Sequence, residues 1–236
     1  MRILFTKSLS NTQKAQIESF GVFDIVEDVP FINTSLITYQ QFVDKYGEPV
    51  ENHIPCVVSS VRASEWLNEN LPFTLSELWA ISEKTAEPLQ EKVNKVYIST
   101  EASSAILAKE ILSQKYEEIN FFCGNLHRPE IPQVLGEQRI KVNLFEVYTT
   151  TLTPVKLSGV FDIICFLSPS AVDSYFELNS WGEKCTALCI GQTTAEAVKN
   201  RGVEKIIYPE LSGFENMLDR LKRHLELENG ISRIEK

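Results

Sequence analysis

The chain is 236 residues long, 43% hydrophobic and 23% charged, with ten Gly and ten Pro, a balance that fits a folded chain and excludes disordered, collagen-like and mini-protein classes. Its 32 acidic residues outweigh 23 basic ones for a net charge of -9, so it repels polyanions at long range and neither nucleic acid nor an anionic membrane is an expected partner. No apolar run approaches the roughly 20 residues of a membrane span, and Met1 to Lys7 is too short for a signal-peptide core, so a cytoplasmic location is expected.

Short apolar runs alternate with amphipathic ones along the whole chain. Arg2 to Thr6 and Val22 to Val26 read as strands, and Pro55 to Ser59 is a strand followed by a helical pattern over Ala63 to Asn68. Strands follow at Leu78 to Ser82 and Val96 to Ser99, a helix at Ser104 to Leu112, then strands at Ile119 to Cys123 and Lys141 to Tyr148. The rest repeats the alternation: strand Asp162 to Leu167, helix Ala171 to Leu178, strand Thr186 to Ile190, helix Thr194 to Asn200, strand Lys205 to Tyr208 and helix Phe214 to Leu227. Most strand runs are continuous rather than alternating, as expected of parallel strands buried on both faces, so the predicted class is α/β with parallel sheets. Cys56, Cys123, Cys165, Cys185 and Cys189 lie mostly inside such runs and read as buried free thiols. Cys185 and Cys189 have no His nearby to complete a zinc site, and His53, His127 and His224 read as surface or cap residues, so no metal is expected.

An internal repeat is the most informative feature. Ile81 to Leu89 and Ile190 to Val198 share four of nine residues with Thr85 and Thr194 aligned, 109 positions apart. Ser59 to Ala63 answers Leu167 to Ala171 at 108, and Glu101 to Ser103 answers Glu210 to Ser212 at 109. Ile3 to Lys7 resembles Asn120 to Gly124 at 117, so the partner of the N-terminal strand lies in mid-chain. The chain therefore reads as two similar α/β domains. One is built from both termini, 1 to 33 with 153 to 236, and the other, 38 to 148, is inserted into it. The crossings near Asn33 to Thr38 and Tyr148 to Thr153 are Thr-rich and suit an extended, two-stranded linker, with a ligand cleft expected between the domains.

In both halves the Ser-rich and Thr-Ala segments fall where a strand ends and a helix begins. Such turns present backbone N–H groups and the positive end of a helix dipole to anions. Ser168 and Thr194 also qualify as simple helix caps.

These residues resemble the uroporphyrinogen-III synthase family. The resemblance is carried by Phe166 to Val172, Ile190 to Ala197, Glu146-Val147-Tyr148 entering the linker, and Phe122-Cys123-Gly124-Asn125 after a strand. Lys7 stands where the family commonly has Arg, and Ser82 where Gly is usual. The resemblance implies two α/β domains joined by a two-stranded ladder. It also implies a monomer that closes the linear tetrapyrrole hydroxymethylbilane to uroporphyrinogen III with inversion of the last ring. Members work without a cofactor, and transient contact with the enzyme that makes the substrate is a further expectation.

Loss of the terminal hydroxyl as water would leave an azafulvene, which the far pyrrole attacks through a spiro intermediate. Tyr148, at a domain crossing, is the expected proton or hydrogen-bond donor to that hydroxyl. The expected carboxylate-binding residues are Ser60, Arg62, Thr85, Ser104, Gly124 and Asn125 in the inserted half. In the other half they are Lys7, Ser168, Ser170, Gly191, Thr193 and Thr194. With a net charge of -9, amides and hydroxyls rather than Lys or Arg should hold most carboxylates, leaving affinity only modestly salt-dependent. Two other readings of the residues stay open: a two-lobed small-molecule binding protein, and a family member without activity.

Overall fold

The computed structural model describes residues 1–47 and 51–234, with side chains of the last helix described as far as Leu227. It divides into two compact units, Met1–Asn33 with Thr151–Lys236, and Thr34–Thr150. The first unit holds strands β1 (Arg2–Phe5) and β2 (Ile25–Asp28) with helix α1 (Asn11–Glu18) between them. The chain crosses to the second unit through β3 (Ile32–Leu36), and α2 (Tyr39–Tyr46) follows. That second unit continues with β4 (Cys56–Val58), α3 (Val61–Asn70), β5 (Leu75–Ala80), α4 (Glu83–Ala86) and a 3-10 turn, Glu87–Lys92. It is completed by β6 (Val93–Ile98), α5 (Ser104–Leu112), β7 (Glu118–Gly124), α6 (Glu130–Glu137) and β8 (Lys141–Leu152). Back in the first unit come β9 (Ile163–Phe166), α7 (Pro169–Leu178), β10 (Thr186–Cys189), α8 (Gln192–Lys199), β11 (Ile206–Ile207) and α9 (Phe214–Ile234).

The first unit carries a sheet of order β11-β10-β9-β1-β2, parallel throughout. The second carries β3-β8-β7-β4-β5-β6, in which β4 to β8 are parallel. Their central strands are apolar on both faces because both faces are covered. Cys56 and Val58 enter one core cluster with Trp66 and Leu67 of α3, while Val57 enters another with Leu107 and Ile111 of α5 and Leu135 of α6. In the same way Leu4, Ile164 and Phe166 pack on α7 and α8, and Ile3, Phe5 and Cys165 pack on α9. All five cysteines are free and buried in these clusters.

The two sheets are one pattern with the chain cut at different places. Pairing β9, β10, β11, β1 and β2 with β4, β5, β6, β7 and β8 reproduces the strand order, and the intervening helices correspond as well. The register agrees too: Cys56, Val57 and Val58 face Leu78, Trp79 and Ala80, as Ile164, Cys165 and Phe166 face Ala187, Leu188 and Cys189. These are the offsets of 108 and 109 seen in the sequence.

The β1 match is corrected by one residue. Val57 pairs with Phe121 and Cys165 with Phe5, so the offset is 116 rather than 117. A one-residue slip exchanges the two faces of a strand, and at 117 Phe5 would be equated with Phe122, which lies in the core cluster on the opposite face from Phe121.

Helices α1, α2 and α6 escaped the sequence pattern, while α4 forms where the Thr-Ala segment was expected to begin a helix. Helix α1 buries only Ile17, and α4 is a single turn. Helix α2 buries only Phe42, and α6 buries Ile131 and Leu135. The strand expected at Val22 to Val26 forms later, at Ile25–Asp28. The expected crossings resolve into β3 and the far end of β8, which are neighbours in the six-stranded sheet.

Candidate active site

In each sheet the strand order reverses once, between β4 and β7 and between β9 and β1, because the connections run to opposite sides there. The carboxyl edge at such a reversal is where an α/β sheet leaves a crevice for ligand. In the second unit that edge is formed by Ser59 and Ser60 after β4, and by Gly124 at the end of β7 with Asn125 after it.

Tyr148 reaches this edge because of a bulge. Cys123 pairs with Glu146, but Gly124 pairs with Tyr148, so Val147 is the extra residue on β8. Without it Val147 would oppose Gly124 and Tyr148 would turn to the other face. Instead Val147 is fully buried, and Tyr148 packs beside it against the same core cluster. The ring lies directly on Gly124: a Cβ there would sit 2.8 Å from Cδ2 and nearer still to Cε2 and Cζ.

Burial raises the Tyr148 phenol above its ordinary value. Hydrogen bonding to Ser60 lowers it, the nearby Cys123 raises it, and the Arg62 charge and the Gly124 backbone lower it, leaving the net shift upward. The phenol is therefore a protonated donor at neutral pH. Ser60 caps α3, accepting from Ala63 N at 3.3 Å.

The other expected residues divide into those at an edge and those turned inward. Arg62 is exposed and paired with Glu65 at 3.2 Å, one turn along α3. In the first unit Ser168 caps α7 through Ala171 N at 3.1 Å, and its Oγ lies 3.1 Å from that of Ser170. Among the described residues no side chain caps α8, whose N-cap is Gly191. A Cβ on Gly191 would run into the Ser212 hydroxyl. Thr193 is half-buried beside it, and Lys7 is exposed after β1.

Three expectations are corrected. Thr85 and Thr194 do not start their helices. Ser82 and Gly191 do, and the two threonines sit three residues further on, each 3% exposed, with Thr85 Oγ1 3.0 Å from Ser82 Oγ. Ser104 is buried as the first residue of α5, behind the N-cap Ser103. The Asn125 carboxamide is already engaged with the backbone of Thr150, at 2.7 and 3.2 Å. His127, read as a surface or cap residue, places Nδ1 3.1 Å from Gly124 O and closes the turn after β7. Among the described residues no cluster of His, Cys, Asp and Glu is arranged to hold a metal ion, and no helix is long and apolar enough to cross a membrane.

Comparison with known proteins agrees with this architecture. The chain is similar to a uroporphyrinogen III synthase from the extremely thermophilic bacterium Thermus thermophilus, with a TM-score of 0.68 and 20% identity over 96% of this chain and 99% of that one. It is also similar to the uroporphyrinogen-III synthetase of Helicobacter pylori 26695, with a TM-score of 0.65 and 18% identity over 96% and 100%. At these identities the likeness concerns the fold. A curated relative, the chloroplastic uroporphyrinogen-III synthase of Oryza sativa subsp. japonica, is 31% identical over 109 residues, 40% of this chain; the match spans about a third of that relative's length, 35%. The family model described as Uroporphyrinogen-III synthase HemD matches residues 12–219. The chain belongs to the uroporphyrinogen-III synthase family.

Proposed function

We propose that this chain closes hydroxymethylbilane to uroporphyrinogen III with inversion of the last pyrrole ring, as a cofactor-independent, cytoplasmic monomer. Family membership supports the substrate. The observation that carries the reading is the placement of a neutral phenol, Tyr148, at the order reversal of the second unit, set directly on Gly124.

The chemistry asks for such a group. The terminal hydroxyl leaves with a proton as water, while the pyrrole N–H of the same ring gives up its proton to leave a neutral azafulvene. A phenol whose pKa lies above its ordinary value holds its proton at neutral pH and can hydrogen-bond or protonate the departing oxygen. The remaining task is positioning, which can lower the barrier without further functional groups. In this reading the two compact units are the two domains. Substrate carboxylates are held by the amides and hydroxyls at Ser60, Ser168, Ser170, Gly191 and Thr193, with Lys7 and Arg62 contributing charge from exposed positions.

The test is isomer analysis. The protein is incubated with freshly generated hydroxymethylbilane, the products are oxidised, and the porphyrins are separated. Type III isomer well above the protein-free control is the expected result; type I alone would refute the activity and return the chain to a binding or inactive role.

A further inference from the structure

We propose that Asn125 is a positioning residue acting through Tyr148, its carboxamide replacing the strand rung that the end of β7 removes. This rests on the catalytic reading of Tyr148 given above. Strand β8 runs on to Leu152, but β7 stops at Gly124, where a turn closes with His127 N donating to Gly124 O at 3.0 Å. Beyond that point β8 has, among the described residues, no parallel neighbour on this side to hold it. Asn125 takes over: its N–H donates to Tyr148 O at 3.2 Å, its Oδ1 accepts from Thr150 N at 2.7 Å, and its Nδ2 donates to Thr150 O at 3.2 Å.

The chemistry of the match is specific. A residue in a parallel strand turns its N–H and C=O to the same neighbour, and a primary amide presents its C=O and one of its two N–H bonds along one planar edge that matches them. Asn125 is the first residue past the strand, so its side chain reaches Thr150 while its backbone holds Tyr148. The backbone of Tyr148 is thereby pinned on both sides. Val147 O accepts from Ile37 N at 3.0 Å just before it, and Thr150 is clasped just after it, as the last residue of the second unit. The ring rests on Gly124 between these anchors. Asp preserves the acceptor but not the donor, Ala preserves neither, and Gln has the right groups on a stem one carbon too long.

Kinetics of Asn125→Ala, Asn125→Asp and Asn125→Gln, alone and combined with Tyr148→Phe, test the proposal together with amide hydrogen exchange. Asn125→Ala should lower kcat by about 10- to 100-fold with KM changed less than about twofold, Asp and Gln falling between it and the native residue. The Ala effect should shrink to less than about threefold in the Tyr148→Phe background, because the phenol it positions is gone. Exchange at the Thr150 amide should accelerate at least about tenfold while the amides of β4 and β5 keep their protection. A rise in KM at constant kcat would make Asn125 a substrate contact and overturn the proposal, as would an equal loss of rate in the Tyr148→Phe background or an unchanged Thr150 amide. If the native chain forms only type I product, the catalytic reading fails and so does a role through the phenol, while the exchange measurement still decides whether the clasp exists.

Discussion

Replacing Gly124 with Ala tests the site geometry more sharply than replacing Tyr148 itself. The backbone of Gly124 is not in the left-handed region, since the positive-φ glycines among the described residues are Gly21, Gly47, Gly159, Gly202 and Gly213, so any backbone strain comes from the added methyl group. That carbon would stand 2.8 Å from Tyr148 Cδ2, with Cε2 and Cζ closer, against an ordinary carbon separation of about 3.5 to 4.0 Å. Relief requires the ring to move by about 1 Å, a displacement that can cost about 100-fold in rate at a reacting centre. Packing strain adds about 1 to 3 kcal/mol, and at roughly 2 to 4 °C per kcal/mol for a chain of this size the melting temperature should fall by about 2 to 12 °C. The assay is the rate of type III formation, with melting followed by circular dichroism. Gly191→Ala is the control, because its methyl group meets the exposed Ser212 side chain, which can rotate away, so melting should change by less than about 1 kcal/mol equivalent. A Gly124→Ala protein that melts and turns over like the native chain would mean that the ring is not seated on Gly124, and the site described above would be wrong.

Tyr148→Phe should slow type III formation by about 10- to 100-fold and leave melting nearly unchanged; an unaltered rate would leave the phenol a packing role only. Ser60→Ala and Ser168→Ala should each cost about 1 kcal/mol through a lost cap, but Ser60→Ala should additionally lower kcat because the Ser60 hydroxyl acts on the phenol's pKa; equal kinetics would separate Ser60 from the chemistry. Burial pushes Cys56, Cys123, Cys185 and Cys189 from 9.0 to about 12, and Tyr175 from 10.0 to about 12. The folded state thus holds these protons more tightly than the unfolded state, so their contribution to stability should be level below about pH 9 and fall by up to about 1.4 kcal/mol per pH unit per thiol toward pH 12, measured by urea titrations from neutral pH to about 12. Rising stability over that interval would refute the burial. The five buried thiols should react with a disulfide reagent only as fast as the chain unfolds.

How much of this was legible in the sequence depends on whether the deciding interaction is local. The central strands were readable because a parallel strand covered on both faces must be apolar at every position, as in Ile163–Phe166 and Cys56–Val58. The duplication was readable because equivalent residues face equivalent neighbours, and the pairing of Val57 with Trp79 beside that of Cys165 with Leu188 bears out those offsets. The proposed site residues Tyr148, Gly124 and Ser60 were singled out in the sequence through their surrounding motifs. Other features were invisible because they depend on what the far chain does. The one-residue register of β1 was set by which face meets α9. Thr85 and Thr194 were turned inward because the N-caps of their helices, Ser82 and Gly191, lie three residues before them. Helix α1 is held mainly by a capping box at Ser10 and one buried residue, Ile17, so its period is too faint to read. Above all, a bulge at Val147 and a side-chain amide at Asn125 decide where the phenol points, and both arise only when β8 lies against β7: sequence specifies which groups are present, while pairing between distant segments specifies which of them face one another.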